Sequence, residues 1–226
     1  MSVKIAIDGP SGAGKSTIAR SAASELGYLY ADTGAIYRSV ALYCLENSVD
    51  IKDSETVSAA LEDIVPTLKY VNSEQRVFVN GEDVTDRIRT PQVSSAASCI
   101  SAIPRVREFL FRLQRSIADE NSVIMDGRDI GTVVLPDADL KIFLTASAEK
   151  RAKRRYIQLA ESSNCPSYEK VLEDIRRRDE NDSTRAVSPL RKAEDAVELD
   201  TTDMTLEESV KTVVRMVKAA VKGGEA

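Results

Sequence analysis

A lysine and a serine stand directly behind three glycines near the N-terminus, in the run Gly9-Pro10-Ser11-Gly12-Ala13-Gly14-Lys15-Ser16-Thr17. The spacing is G-x-x-x-x-G-K-[ST], that of a loop that cradles phosphates. Glycine tolerates positive φ and lets a ligand come close to the backbone, so such a loop can turn several N–H groups toward one anion. A helix starting at its end adds free amides and the positive end of its dipole. Lys15 supplies a point charge for the outer phosphates, and the Ser16 hydroxyl is a candidate Mg²⁺ ligand.

Three further groups are suited to phosphate chemistry. Asp32-Thr33-Gly34 and Asp126-Gly127-Arg128-Asp129 each follow an apolar run. Between Lys150 and Lys192 lie twelve Lys/Arg against seven Asp/Glu, although the whole chain has a net charge of −5. Joining a donor and an acceptor phosphate means overcoming their repulsion, and the planar fork of arginine holds two phosphate oxygens at once. Histidine is absent, which excludes a histidine base and the usual histidine metal sites. A phosphate acceptor with a second pKa of about 6 is already largely dianionic at neutral pH and needs no base. A hydroxyl acceptor stays open, because Asp32, Asp126 or Asp129 could take its proton.

These groups need elements to position them. Val3, Ile5 and Ile7 lie on one face of a strand, and Ala6 suits a sheet covered on both sides. Ile18, Ala22 and Leu26 form a helical stripe that Gly27 can end. Residues 28–38 read as a short strand, a turn and a helix start, continued by Ile36, Val40 and Cys44. Val57, Leu61 and Ile64 form another helical stripe, ended by Pro66. The period then changes to two at Leu68/Tyr70 and Val77/Val79, around turns at 72–75 and 80–83. This predicts a small antiparallel sheet inserted between helices, with Tyr70 and Phe78 in its core. Residues 92–101 and the stripe Val106, Leu110, Leu113 and Ile117 read as helices, with Pro104 near the start of the second. Strands are predicted at 122–126, 139–147 and 196–202. Helices are predicted after caps at Ser147 and Ser167, and from Leu206 to Val221. Strands alternating with helices imply a mostly parallel sheet with helices on both faces, and ligands beyond the carboxyl ends of its strands.

The 226 residues, 42% of them hydrophobic, suffice for one α/β core with insertions. The 30% of charged residues predict a soluble chain, and no apolar run is long enough to span a bilayer. No signal-peptide pattern precedes the first strand. Cys44, Cys99 and Cys165 are far apart and odd in number, which fits a reducing cytosol better than a disulfide framework or a zinc site. The Asn-Lys-x-Asp signature of GTPases is absent. The basic island leaves a nucleotide-gated RNA- or protein-binding module as a rival to a kinase.

The chain resembles the bacterial cytidylate kinases of the P-loop nucleoside monophosphate kinase family. The matching stretches are IDGPSGAGKST, DTGAIYR, IRTPQVSSAAS, PRVRE, DGRDIGTVV, KIFLTAS, RRRDENDSTRAVSPL and LDTT, in family order along nearly the whole chain. The resemblance implies transfer of the γ-phosphoryl group of ATP to CMP or dCMP, with Mg²⁺. It implies a core of residues 1–33, 106–149 and 187–226, a monophosphate-binding insertion at 34–105, and a lid at 150–186. Gly9 to Thr17 would hold the ATP phosphates. Thr33 and Arg38 would meet the acceptor phosphate, with Arg128 near the transferring group. Ser98, Arg107 and Asp129 would read the cytosine edge, helped by Arg185, while Arg178 and Asp182 would meet the ribose or phosphates from the lid. Lys15, Arg128, Arg178 and Arg185 are the expected catalytic residues. Ser183 and Thr184 are expected to allow a bend before Arg185. No nucleic acid, membrane or second copy is expected as partner, and no role is assigned to Arg151, Lys153 or Arg155.

Overall fold

The computed structural model describes residues 2–71, 74–160 and 166–223. Asn72 and Ser73 of the expected turn, Cys165, and part of the 150–186 segment lie outside them. The apolar runs form five parallel strands: β1 (Lys4–Asp8), β2 (Leu29–Asp32), β6 (Val123–Gly127), β7 (Leu140–Thr145) and β8 (Val197–Asp200), in the order β2-β6-β1-β7-β8. A parallel neighbour requires a crossover, and helices supply it. Ile5 and Ile7 pack with Ile18, Ala22, Val213 and Val217 of α1 (Lys15–Leu26) and α8 (Leu206–Gly223). Ala6 faces the opposite side with Met125, Ala118 of α5 (Pro104–Glu120), and Ile130 and Val134 of a π-helical turn. The sheet is therefore covered on both faces, as the small residue at position 6 required.

A third cluster lies beside the sheet. It joins α2 (Thr33–Glu46), α3 (Ser54–Ala60), α4 (Pro91–Ile100) and α5 with a three-stranded antiparallel sheet of β3 (Pro66–Val71), β4 (Glu74–Val79) and β5 (Glu82–Asp83). Two remaining helices, α6 (Ala148–Leu159) and α7 (Tyr168–Thr184), pack together through Ala152, Val171 and Ile175. Ser147 and Ser167 cap them as expected, accepting from the amides of Lys150 and Lys170.

Several local expectations change. No turn separates β2 from α2: Asp32 ends the strand and caps the helix in one step. The stripe through Ile64 is helical only to Ala60, and a 3₁₀ turn carries the chain on to Ile64. Leu68, Val77 and Val79 form the core face of the small sheet. Phe78 instead lies under the Lys69 ammonium, and Tyr70 spends its hydroxyl on the Tyr30 carbonyl at 3.2 Å. Ser183 and Thr184 continue α7, bonding back to the carbonyls of Asp179 and Glu180, so the chain leaves the helix only at Arg185.

The register explains why the chemistry gathers. Asp32 pairs with Asp126, Ile7 pairs with Asp126, and Asp8 pairs with Gly127. Three acids thus lie at or one residue before the carboxyl ends of three neighbouring strands. The phosphate loop leaves β1 at the same end through Gly9, whose φ of +149° places an added Cβ 1.9 Å from the Leu144 carbonyl oxygen. Gly9→Ala should lower stability by about 3 kcal/mol through overpacking and backbone strain. Gly81→Ala has positive φ but open space around it, and should cost about 1 kcal/mol. Urea unfolding of both variants checks the difference.

Candidate active site

The sheet edge opens into a cleft of about 780 Å³ lined by the loop, the ends of β2 and β6, α4, α6 and α7. It holds Lys15 and eight arginines against Asp32, Asp126, Asp129 and Asp182. The loop forms the floor. Gly14 takes the left-handed conformation that starts α1, and no side chain caps that helix. By contrast α2, α4, α6 and α7 all have side-chain caps. The first amides of α1 are therefore left for an anion. Lys15 is buried, its Nζ donating to the Pro10 carbonyl at 2.8 Å. Burial, helped by the Arg128 charge, lowers its pKa to about 7, so an arriving phosphate supplies the countercharge it lacks.

Asp126 lies behind the loop, accepting from the Ser16 hydroxyl and the Tyr30 hydroxyl, each at 2.9 Å. Burial first, and the nearby Asp32 charge second, push its carboxyl up to about 6. Thr33, which lines the cleft, donates its hydroxyl to the Asp126 carbonyl at 2.8 Å. Asp32 is different. Burial works against its charge, but the Arg38 guanidinium and the Ala35 amide outweigh it and hold the carboxyl below its usual range. Arg38 meets Asp32 at 2.8 Å and keeps a buried Nε without a partner.

On the opposite wall Asp129 receives the Arg107 guanidinium in a buried ion pair, and Arg185 stands 3.9 Å from its other oxygen. Arg107 also donates to the Ser101 carbonyl at 3.1 Å and lies 5.6 Å from the centre of the Tyr37 ring. Ser98 lines the same wall. From α7, Asp182 accepts from Arg128 Nε at 2.7 Å. Arg178 keeps a buried Nε without a partner, and burial followed by the Arg128 charge lowers its pKa to about 10. The structure thus brings Ser11, Gly12, Gly14, Lys15, Ser16, Thr17, Thr33, Arg38, Ser98, Arg107, Arg128, Asp129, Arg178, Asp182 and Arg185 to one cleft. Gly9, Pro10 and Ala13 are buried within the loop behind it. Arg178 and Arg185 are both partly buried.

The matched sequence settles the lineage of this cleft. Residues 5–219 fit the family model described as cytidylate kinase. This chain belongs to the cytidylate kinase family. It is 49% identical over 220 residues to a cytidylate kinase of Caldicellulosiruptor bescii, covering 97% of each chain. It is also 49% identical to one of Caldicellulosiruptor saccharolyticus, covering 95% of each. Among solved structures, a gluconokinase from Sinorhizobium meliloti 1021 shares the fold at a TM-score of 0.50 and 14% identity, covering 98% of this chain and 94% of that one.

Several residues in or behind the cytidylate kinase cleft escaped the sequence reading. Asp8 is buried and accepts from the amides of Ile130 and Gly131 at 2.8 and 2.7 Å, fixing the π-helical turn beside Asp129. Burial raises its pKa to about 6 despite those amides. A lone acid ending an apolar strand was the available signal. Arg89 faces the cleft, and its charge acts on Asp32. Arg155 also faces the cleft, where burial and the Arg38 charge lower its pKa. Neither arginine differs in pattern from an ordinary surface charge. Among the described residues, no cluster of three or more His, Cys, Asp or Glu side chains is placed to hold a metal ion.

The raised carboxyl of Asp126 has a definite sign in stability. Between pH 4 and 6 the native state keeps a proton that the unfolded chain releases, so native stability falls as pH rises through that window. Asp126→Asn should flatten this decline and make the substrate-free protein more stable at pH 7.5 by about 1–2 kcal/mol. Urea unfolding at pH 4.5 and 7.5 measures it, and an unchanged slope would contradict the assigned cause.

Proposed function

We propose that this chain transfers the γ-phosphoryl group of ATP to CMP or dCMP, giving ADP and CDP or dCDP. The observation that carries the reading is the buried Arg107–Asp129 pair beside Arg185 in an arginine-lined cleft. Two arginines hold the Asp129 carboxylate in place, leaving lone pairs to accept from an exocyclic amino group. Cytosine offers that donor, whereas uracil presents a carbonyl to the same carboxylate. Mismatched buried polar groups discriminate strongly. The cytidylate kinase relatives act as further support.

In this reading the amides of residues 9–17 and Lys15 hold the ATP phosphates and gain strength as charge moves in the transition state. Arg38, its Nε still unpartnered, meets the acceptor phosphate beside Thr33. Arg128 and Arg178 reach the transferring group, and Asp182 keeps Arg128 aimed at it. Ser98 joins Asp129 and Arg107 on the base. Ser16 and Asp126 are hard oxygen donors 2.9 Å apart, with too few neighbouring ligands for an all-protein cation cage. That donor set suits Mg²⁺, which keeps waters and shares ligands with substrate phosphates. Bound there, Mg²⁺ would neutralise phosphate charge.

Residues 34–105 form the acceptor-binding insertion and 150–186 a lid that excludes water on closing. The core comprises 1–33, 106–149 and 187–226. The reading takes the protein as a monomer acting in the cytosol, for which ATP and CMP or dCMP are suitable substrates. No described helix is long and apolar enough to cross a membrane. A hydroxyl acceptor is less favoured. Asp126 has the pKa of a base, yet both its oxygens already accept hydrogen bonds, and Asp32 and Asp129 are bound to arginines.

ADP release with ATP plus CMP, dCMP, UMP, AMP or shikimate tests the proposal. Turnover should require CMP or dCMP, with UMP poorer by about two orders of magnitude or more in kcat/KM. Shikimate-dependent turnover would overturn it. Asp129→Ala should erode CMP use more than UMP use. Arg178→Ala and Arg185→Ala should each cost about 3 kcal/mol in kcat/KM with little change in Tm. Lys153 is exposed, so Lys153→Ala should leave turnover nearly intact; an equal loss there would mean that total charge, rather than placement, drives binding.

A further inference from the structure

A loop that turns its amides toward an anion turns carbonyls the other way, and those carbonyls need donors. Arg151 Nη1 donates to the Ser11 carbonyl at 3.0 Å, and Arg154 Nη1 to the Ala13 carbonyl at 3.2 Å. Both arginines project from α6, so this helix braces the loop from behind.

Arg151 does more. It is 5% exposed, and an added Cβ on Gly12 would lie 3.3 Å from its own Cβ. Its Nε donates to the Ala146 carbonyl just beyond β7 at 2.8 Å. The same guanidinium forms a two-point fork on Asp179 of α7, with Nη1 to Oδ1 at 3.0 Å and Nη2 to Oδ2 at 2.6 Å. Asp179 directly follows Arg178 and lies three residues before Asp182, so one helix carries the fork and both cleft residues. A planar guanidinium cannot turn one edge without the other. Ser11 and Asp179 are therefore held by a single rigid plate.

We propose that Arg151 is a positioning residue that couples the phosphate loop to α7, so that ATP in the loop sets the placement of Arg178 and Asp182 and raises the affinity for CMP. The inference rests on the ATP and CMP sites proposed above. The physical route is polarisation: an anion on the loop amides strengthens the opposite carbonyls as acceptors. The Ser11 carbonyl then holds the guanidinium more firmly, and Asp179 and α7 are held with it. Linkage makes the effect reciprocal, so CMP raises ATP affinity by the same factor.

Calorimetric titration of CMP into the full chain, with and without Mg²⁺ and β,γ-methylene-ATP, measures the coupling. The analogue should tighten CMP binding by about tenfold in the unmodified protein, and by no more than about threefold in Arg151→Lys or Asp179→Asn. Arg151→Lys keeps the charge and loses the fork, while Asp179→Asn keeps the shape. CMP affinity without the analogue should stay within about threefold in both, and the double variant should match the singles, as expected for one shared interaction. Variants that lower Tm yet keep the full coupling ratio would overturn the proposal. Should Arg151→Lys fail to fold, Asp179→Asn decides alone, since Arg151 then keeps its bonds to Ser11 and Ala146. Absence of CMP-dependent ADP release in the unmodified protein would instead remove the acceptor reading, and the coupling with it.

Discussion

Repulsion among the cleft cations is the constraint on which this structure depends. Eight arginines and a lysine line one cavity, and without anions their charges would drive its walls apart. Buried aspartates on the surrounding elements oppose that force. Asp32 holds Arg38, Asp129 holds Arg107, and Asp182 holds Arg128. Each carboxylate also fixes the direction of its arginine, so electrostatic relief and geometric order come from the same contacts. Asp8 and Asp126 differ because they face amides and hydroxyls rather than a direct cation, and both have raised pKa values.

The same arrangement explains the balance between order and readiness. Nitrogens of Arg38, Arg178 and Arg185 remain buried without a hydrogen-bond partner. Such donors carry an unmet desolvation cost that a phosphate or base can relieve. The residues that carry these nitrogens lie on α2, on α7 and just beyond α7, outside the parallel sheet. A gluconokinase shares that sheet at 14% identity, so the common architecture cannot choose the acceptor. The choice lies in side chains placed on it.

Short-range chemistry was plain in the sequence. Gly9 to Ser16, the covered strand around Ala6, the Ser147 and Ser167 caps and the change to period two at Leu68 all follow local rules. The resemblance located Arg107 and Ser98, which position alone could not separate from a solvated helix face or a packed Ser/Ala helix. Arg151 and Arg89 stayed hidden because their meaning is set by distant partners: Ser11 and Asp179 for the first, Asp32 for the second. Phe78 and Tyr70 misled for a related reason. The β period gives the faces of the small sheet, but a neighbouring lysine and the Tyr30 carbonyl decide what each ring meets.

The central place of β1 has a consequence for synthesis. Ile5 finds its sheet neighbours at Ile124 and Leu140, so β1 is synthesised well before either of the strands it pairs with. The nucleotide loop therefore cannot take its final form until β6 and β7 have emerged, and closing so long a loop carries an entropic cost and slows folding. Meanwhile an apolar strand has both edges open, a state prone to mispairing with other chains. The position that makes β1 the best-protected strand of the finished enzyme makes it the most exposed one during its manufacture.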